Sequence, residues 1–316
     1  MNHLKVFDAS HMTHRMYSTA KRISADEVLD TALYLFLNSM FSTMKKDTST
    51  PMIFLYDAKN STKFRKELNE SYKANRVANP DVILLKQRII QVLNDLGLFN
   101  LEIEGLEADD IAYILSRDLE NPITFVTEDK DWYSFLIDNK TQVRPIAKEF
   151  VTYNDLLMKH SGIIDAILGD REISDYHLTL PQLVHKILLE KKAIMGDGSD
   201  NVKGFKGVGP KAANQIVIKL NKLESYDDFR GKSKAEKGFQ AQIERFKNNL
   251  QVLGYSHLDD LSVTEHFTIT PKTDINYQEV LLKIADKINS KTIADRVVSL
   301  SNALEKNNVQ PTLVWR

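Results

Sequence analysis

The chain predicts an α/β fold, a mostly parallel sheet flanked by helices, with a helical region following it. Three observations lead there. Short apolar runs alternate with stretches of helical periodicity through the first half, the pattern of strands joined by crossover helices. Acids follow these runs closely, again and again. After Leu220 the spacing of apolar residues is helical throughout.

The first run, "LKVF" (Leu4–Phe7), ends at Asp8. Ser24 with Glu27 reads as a capping box before a helix over Val28–Met44, whose apolar residues cover more than one face, as in a well-buried helix. "MIFLY" (Met52–Tyr56) ends at Asp57, and "LEI" (Leu101–Ile103) lies just before Glu107. A helix over Ala108–Leu119 is marked by Ile111, Ala112, Ile114 and Leu115, and "ITFV" (Ile123–Val126) precedes Asp129 and Asp131. The stretch His160–Lys186 suggests a surface helix or two. "SKAEKGFQAQIERFKNNLQVLGY" (Ser233–Tyr255), "INYQEVLLKIADKI" and "TIADRVVSLSNALEKN" are further helices. With no internal repeat, low-complexity tract or long linker, a core over 1–186 and a helical region over 187–316 are expected to pack intimately.

Composition narrows the function classes. At 316 residues, 42% hydrophobic and 27% charged, the chain has the profile of a soluble globular protein of one large or two modest domains. No apolar run approaches the roughly 20 residues of a membrane span, and the N-terminus lacks the apolar stretch of a signal peptide. The absence of cysteine excludes disulfides and thiolate zinc sites and fits a cytoplasmic protein. A net charge of −1 means that any affinity for nucleic acid rests on local patterning.

Such patterning is present. Ligands of parallel sheets sit beyond the carboxyl ends of the strands, where Asp8, Asp57, Asp129 and Asp131 fall. Glu107, Asp109 and Asp110, in "EGLEADD", open a helix, and Asp197 and Asp200 sit on a glycine-rich turn. One Asp after a strand is an ordinary turn former; recurrence at several strand ends is not. Two carboxylates about 5 Å apart repel by roughly 3 kcal/mol at an effective dielectric near 20, so converging acids require cations. Oxygen ligands alone favour Mg²⁺ or Mn²⁺, and a pair of such ions suits phosphodiester hydrolysis.

Directly after the last acids, "GFKGVGPKAANQI" reads as a helix–hairpin–helix, within about 194–220. Lys203, Lys206, Gly207, Gly209 and Lys211 let backbone N–H groups and charge approach a phosphate, and Pro210 suits a first helical turn. From Val202 to Lys222, both included, there are five lysines and no acid. Such a hairpin grips a DNA backbone without reading its sequence. A second basic element, "KNSTKFRKELNESYKANR" (Lys59–Arg76), has a local balance of +4 and includes Arg65. Its Phe64 and Tyr72 are interleaved with the charges, as where single-stranded bases stack on aromatics.

Taken together, "VFDASHMTHR", "FLYDAKNSTKFRKELNESYKANR", "EGLEADDIA", "TEDKDW" and "IMGDGSDNVKGFKGVGPKAA" resemble the structure-specific 5′ nuclease family over roughly residues 4–220. That family comprises flap endonucleases, phage 5′→3′ exonucleases and the 5′ nuclease domain of DNA polymerase I; the length is most similar to phage or stand-alone bacterial members. The resemblance implies a PIN-like core and two Mg²⁺ ions, replaceable by Mn²⁺. Asp8, Asp57, Glu107 and Asp109 would serve the first ion, with Asp110 close by, and Asp129, Asp131, Asp197 and Asp200 the second. It further implies an arch over about 59–90 in which Lys73 and Arg76 contact the scissile phosphate, Arg65 meets DNA and Tyr72 stacks a base. Arg15 would be another active-site cation, and a K⁺ ion would bind the hairpin carbonyls. The implied partners are flap, nicked, gapped or forked duplex DNA and RNA–DNA primers, with RNase H activity among the family's reactions. A sliding clamp or single-strand-binding protein would be a further partner of a monomeric enzyme in the cytoplasm, the host's if phage-encoded.

Some features depart from the family. Glu128 occupies a position that is often small, and the 160–186 stretch is longer than expected. His11 and His14 have i,i+3 spacing but no further soft ligand, which argues against zinc. The rival reading is a noncatalytic DNA-junction binder that kept the hairpin; the concentration of acids against phosphate argues for the enzyme. A toxin-type ribonuclease of related fold would lack the hairpin. At the end of the chain, "NNVQPTLVWR" carries Leu313, Val314 and Trp315, which either fold back on the body or, with Gln310, dock on a clamp.

Overall fold

The computed structural model describes residues 3–24, 26–45, 50–138, 141–145, 149–267, 274–307 and 313–316. The chain opens with β1 (Leu4–Asp8), α1 (Ala9–Ile23), α2 (Val28–Lys45) and β2 (Met52–Tyr56). It continues through α3 (Lys63–Leu68), α4 (Pro80–Asp95), β3 (Phe99–Glu102), α5 (Ala108–Asp118) and β4 (Ile123–Val126). After a 3-10 turn (Lys130–Phe135) come β5 (Thr141–Arg144), β6 (Val151–Thr152), α6 (Tyr153–Leu168) and α7 (Leu180–Met195). A small ribbon, β7 (Gly196–Asp197) and β8 (Val202–Lys203), leads into α8 (Pro210–Leu220), α9 (Lys234–Gln240) and α10 (Ile243–Leu253). The chain closes with α11 (Tyr277–Lys287), α12 (Lys291–Ala294) and α13 (Val297–Asn307).

The six strands of the sheet run in the order β3-β2-β1-β4-β5-β6, parallel except at the β5–β6 edge. Every residue of β1, β2 and β4 is buried, so these strands read as unbroken apolar runs rather than as alternation. Alternation reappears in which face each side chain serves. Val6, Ile53, Leu55 and Phe125 join a core built with α5, α6, α7, α8 and α10. Phe7, Phe54, Tyr56 and Val126 join a second core with α1, α2, α4, α11 and α13, in which Phe7 stacks on Phe54 at 4.6 Å. The chain steps outward from β1 through β2 to β3, then returns to place β4 on the other side of β1. That reversal opens a crevice beyond the carboxyl ends of β1 and β4.

Several expectations need adjustment. Ser24 does not cap α2; its N–H closes α1 on the Ala20 carbonyl. The Ser233–Tyr255 stretch divides into α9 and α10. β5 and β6 were not legible as strands. The 160–186 stretch is the end of α6, a 3-10 turn and the start of α7, so residue 186 falls inside a helix. Of the closing segment, Leu313 and Trp315 pack on the first core, and Val314 and Arg316 hydrogen-bond residues 118–121. Leu313 and Trp315 are thus partly buried against the body of the protein; Gln310 lies outside the described residues. Among the described residues no helix is long and apolar enough to cross a membrane.

The ribbon is welded to the end of α7 by two glycines. Gly196 has φ +78°, and a Cβ on Gly204 would stand 2.0 Å from the Met195 carbonyl oxygen. From the other side, Arg245 donates to the Gly204 carbonyl at 2.8 Å, and Asn249 to the carbonyls of Ala193 and Lys203 at 2.9 and 3.1 Å. Gly204→Ala is therefore expected to cost about 3 kcal/mol or more. Gly198→Ala, whose Cβ would meet nothing within 4 Å, should stay within about 1 kcal/mol of the parent. Urea denaturation of both variants checks this; equal losses would show that close backbone approach is not what fixes the ribbon.

Candidate metal centre and nucleic-acid interface

Five chain segments deliver acids to the crevice. Asp8 ends β1 and caps α1, its carboxylate accepting the His11 N–H at 2.9 Å and the Thr127 hydroxyl at 2.8 Å. Asp57, just past β2, accepts the Ala108 N–H at the start of α5, at 2.9 Å, while its own N–H donates to Ser10 Oγ. Asp109 accepts the Trp132 indole N–H at 2.6 Å. Asp129 opens the 3-10 turn and accepts the Asp131 N–H at 2.9 Å. On the ribbon, Asp197 accepts the N–H groups of Ser199 and Asp200 at 2.8 and 3.2 Å. Oxygens of Asp131, Asp197 and Asp200 lie within 4.8 Å of one another.

Charge in this cluster is only partly balanced. Burial, then the charges of Asp57 and Asp129, push the Asp8 carboxyl up to about 7. Asp57 is raised by burial and by Glu107, and Asp109 is raised far above the usual range by burial, Asp129 and Asp8. Burial also raises Asp131 and Asp200. Asp197 goes the other way: against the effect of burial, Lys192 and its hydrogen bonds hold it at about 2. An all-oxygen donor set in which burial, and then neighbouring carboxylates, disfavour negative charge at most members fits hard divalent cations.

Glu107 and Asp110 have a different company. The buried Arg65 donates to Glu107 at 3.0 Å and in a two-toothed grip to Asp110 at 2.6 and 3.1 Å, with its Nε on the Val252 carbonyl. Asp110 also accepts the Glu107 N–H at 2.9 Å, closing the first turn of α5. Tyr72 donates to Glu107 at 2.9 Å, and Lys73 to the other Glu107 oxygen. Although burial opposes it, Lys73 and Arg65 hold Glu107 below its ordinary range.

Three expectations change as a result. Arg65, only 4% exposed, is not placed to meet DNA; it fastens α3 to α5 and α10. Tyr72, 3% exposed, has its ring in the core and offers no platform to a base. Asp110 is committed to Arg65 and the helix cap. Of the other predicted cations, Arg76 pairs with Asp200 at 2.9 Å, and Arg15 pairs with Glu128 at 3.0 Å. Lys73 lies with Arg76, His14 and Asp57 along a cleft of about 330 Å³. Its backbone is in the left-handed region, φ +50°, anchored by its N–H on the Asp200 carbonyl at 3.0 Å.

The segment expected to form the hairpin alternates exposed and buried residues. Lys203, Lys206, Gly207, Gly209 and Lys211 are exposed while Val202, Phe205 and Val208 are buried beneath them. Gly207 takes φ +80°, and Gly209 precedes α8 with open space around it. Sequence reasoning missed Thr127, Trp132 and Lys192. Trp132 stood within "TEDKDW" without a role. Lys192, on the last turn of α7, bonds Asp131 at 2.5 Å and Asp197 at 2.9 Å and had no local signal.

Arg65→Lys is expected to lower stability by about 1–3 kcal/mol, because an ammonium cannot reproduce the planar fork. The salt dependence of duplex binding should not change below the melting temperature. Urea denaturation and salt titrations check both; full stability with a shallower salt slope would return Arg65 to the DNA interface.

Comparison with known proteins agrees with this geometry. Residues 3–162 match the model of the 5′-3′ exonuclease N-terminal resolvase-like domain. The chain is 28% identical over 307 residues to the 5′-3′ exonuclease of Aquifex aeolicus (strain VF5), covering 91% of this chain and 96% of that protein. It is 27% identical over 263 residues to the thermostable DNA polymerase I of Thermus aquaticus, covering 81% of this chain but 27% of the polymerase. Among solved structures, the T5 D15 protein co-crystallised with metal ions shares the fold with a TM-score of 0.62 at 17% identity, over 95% of this chain and 100% of that one. The expected α/β fold and nuclease activity thus stand, and the chain belongs to the 5′-3′ exonuclease family of DNA-processing nucleases.

Proposed function

We propose that this 5′ nuclease uses two Mg²⁺ ions, or Mn²⁺ in their place, to hydrolyse phosphodiesters at 5′ ends, flaps and nicks of duplex DNA and at RNA–DNA primers. The observation that carries the reading is the convergence of Asp131, Asp197 and Asp200 oxygens within 4.8 Å. Beside them, burial and then the charges of Asp57 and Asp129 raise Asp8, and burial, Asp129 and Asp8 raise Asp109, while Lys73 and Arg76 pair with Glu107 and Asp200. Asp8, Asp57, Glu107 and Asp109 would hold one ion, and Asp129, Asp131, Asp197 and Asp200 the other, Asp110 serving as a brace. When bound, such ions lower the pKa of an attacking water and offset charge on the leaving oxygen. Trp132, Thr127 and the Ala108 N–H aim the carboxylates. Lys73 and Arg76 stand beside the acids to receive the scissile phosphate, and Arg15 adds positive charge at the rim. The exposed hairpin holds the duplex backbone without reading bases, and a K⁺ ion on its carbonyls would firm that grip. A binder without catalysis would have no use for carboxylates crowded against phosphate.

Asp129→Asn and Asp131→Asn are expected to lower Mg²⁺-dependent cleavage of a 5′-labelled flap by about 10²-fold or more while duplex binding persists or tightens. Near-normal turnover in both would sink the two-ion assignment.

Gly209→Val should fold normally, since the added side chain meets open space and the residue's φ is −87°. It should nevertheless weaken binding of a forked duplex of any sequence. Lys211→Ala should weaken binding with a salt slope shallower by about one. Unchanged binding by the folded glycine variant would make the hairpin a purely structural turn.

A further inference from the structure

The cluster is unevenly supplied with charge. Among the described residues, Asp8, Asp57 and Asp109 form no ion pair with a lysine or arginine, and of the acids assigned with them only Glu107 does, to Lys73 and Arg65. At the other end, Lys192 stands between Asp131 and Asp197, with Nζ 2.5 Å from one carboxylate and 2.9 Å from the other. Those carboxylates belong to the trio whose oxygens converge within 4.8 Å. Among the described residues the fold thus pairs one of the four acids assigned to the first ion, Glu107, but three of the four assigned to the second, Asp131, Asp197 and Asp200.

We infer that Lys192 is a resident counter-cation that competes with the second divalent ion. It makes the Asp131–Asp197 end the weaker and later-filling half of the centre. The inference rests on the two-ion reading above and adds to it a residue and an order of loading. An ammonium within about 4 Å of an incoming ion repels it strongly at any dielectric a protein surface offers. Both cations also seek the same carboxylate oxygens, so the ion gains those ligands only as Lys192 gives them up. The side chain has somewhere to go. Lys192 also lines a cleft of about 540 Å³ between the 3-10 turn, α6 and α7, whose walls include Tyr133, Ser134 and Asp155. Lys192 is thus a positioning residue: with no divalent ion bound it keeps Asp131 and Asp197 together, and it withdraws as the ion arrives.

Binding of Mn²⁺ alone, without DNA, tests this by calorimetry and by electron paramagnetic resonance on the parent, Lys192→Met, Lys192→Gln and Lys192→Arg. The neutral variants should bind the weaker ion about tenfold or more tighter, with the tighter ion unchanged, while Lys192→Arg stays near the parent. Without metal, the neutral variants should melt lower than the parent and gain more on adding Mn²⁺. If the neutral variants leave the weaker affinity unchanged or reduce it, Lys192 is not a competitor and the proposal falls while the two ions remain. Asp57→Asn and Asp131→Asn assign the two sites. Loss of a single shared ion in both would overturn the two-ion reading and this inference with it.

Discussion

Mutual repulsion of carboxylates is the constraint around which this molecule is arranged. A parallel sheet points its strand ends one way, so acids placed after β1, β2 and β4 are forced into company whether or not they can stay ionised together. The chain answers with cations drawn from outside the sheet. Arg65 and Lys73 come from α3 and the turn after it, Arg76 from the approach to α4, and Lys192 from the end of α7. Each links an acid to an element that would otherwise have little reason to sit there. Arg65 shows this best: one guanidinium joins residues 42, 45 and 187 positions away. Electrostatic necessity thereby becomes tertiary structure, and removing one partner leaves a buried charge exposed to its neighbours.

The same economy joins cutting to gripping. Asp197 and Asp200 precede the exposed lysines of the hairpin by a few residues, and the ribbon between them leaves no room for a side chain at Gly196 or Gly204. α10 holds this ribbon from behind through Arg245 and Asn249. The distance from the acids to the exposed lysines is therefore set by backbone contact rather than by a flexible linker. A nonspecific grip with a fixed reach selects the shape of a nucleic acid over its sequence.

Much of this was legible in the amino-acid order, because two of its signals are local. Buried parallel strands are runs of apolar residues, and an acid directly after such a run needs only the direction of the strand to be placed. The helical character after Leu220 followed from periodicity, but the breaks did not: Ser233–Tyr255 divides into α9 and α10, and "TIADRVVSLSNALEKN" into α12 and α13. What escaped depended on partners far away in the chain. Arg65 and Tyr72 lie in a stretch so rich in charge that a solvated, base-contacting role was the natural expectation; their burial comes from Glu107, Asp110 and the α10 carbonyl, which no local pattern announces. Lys192 resembles any basic residue near a helix C-terminus. β5 and β6 are short strands at one side of the sheet, β6 at its edge, recognisable only by what they pair with. Ser24 and Glu27 matched a capping box in spacing, but the preceding helix claimed the serine.

The segment 313–316 has a consequence for how the molecule comes into being. Its backbone pairs with residues 118–121, and Val314 reaches Asn121 across 193 positions of sequence. That short partner covers the approach to β4, a strand in the middle of the sheet. During synthesis the N-terminal strands emerge and collapse first, yet this flank stays open to water until the ribosome has released residues on the far side of α13. Through that interval the Glu120 N–H and the Asp118 carbonyl lack the partners that Val314 and Arg316 later supply, and Phe267 rests on Phe99 at 5.7 Å without Trp315, which later meets it at 5.5 Å.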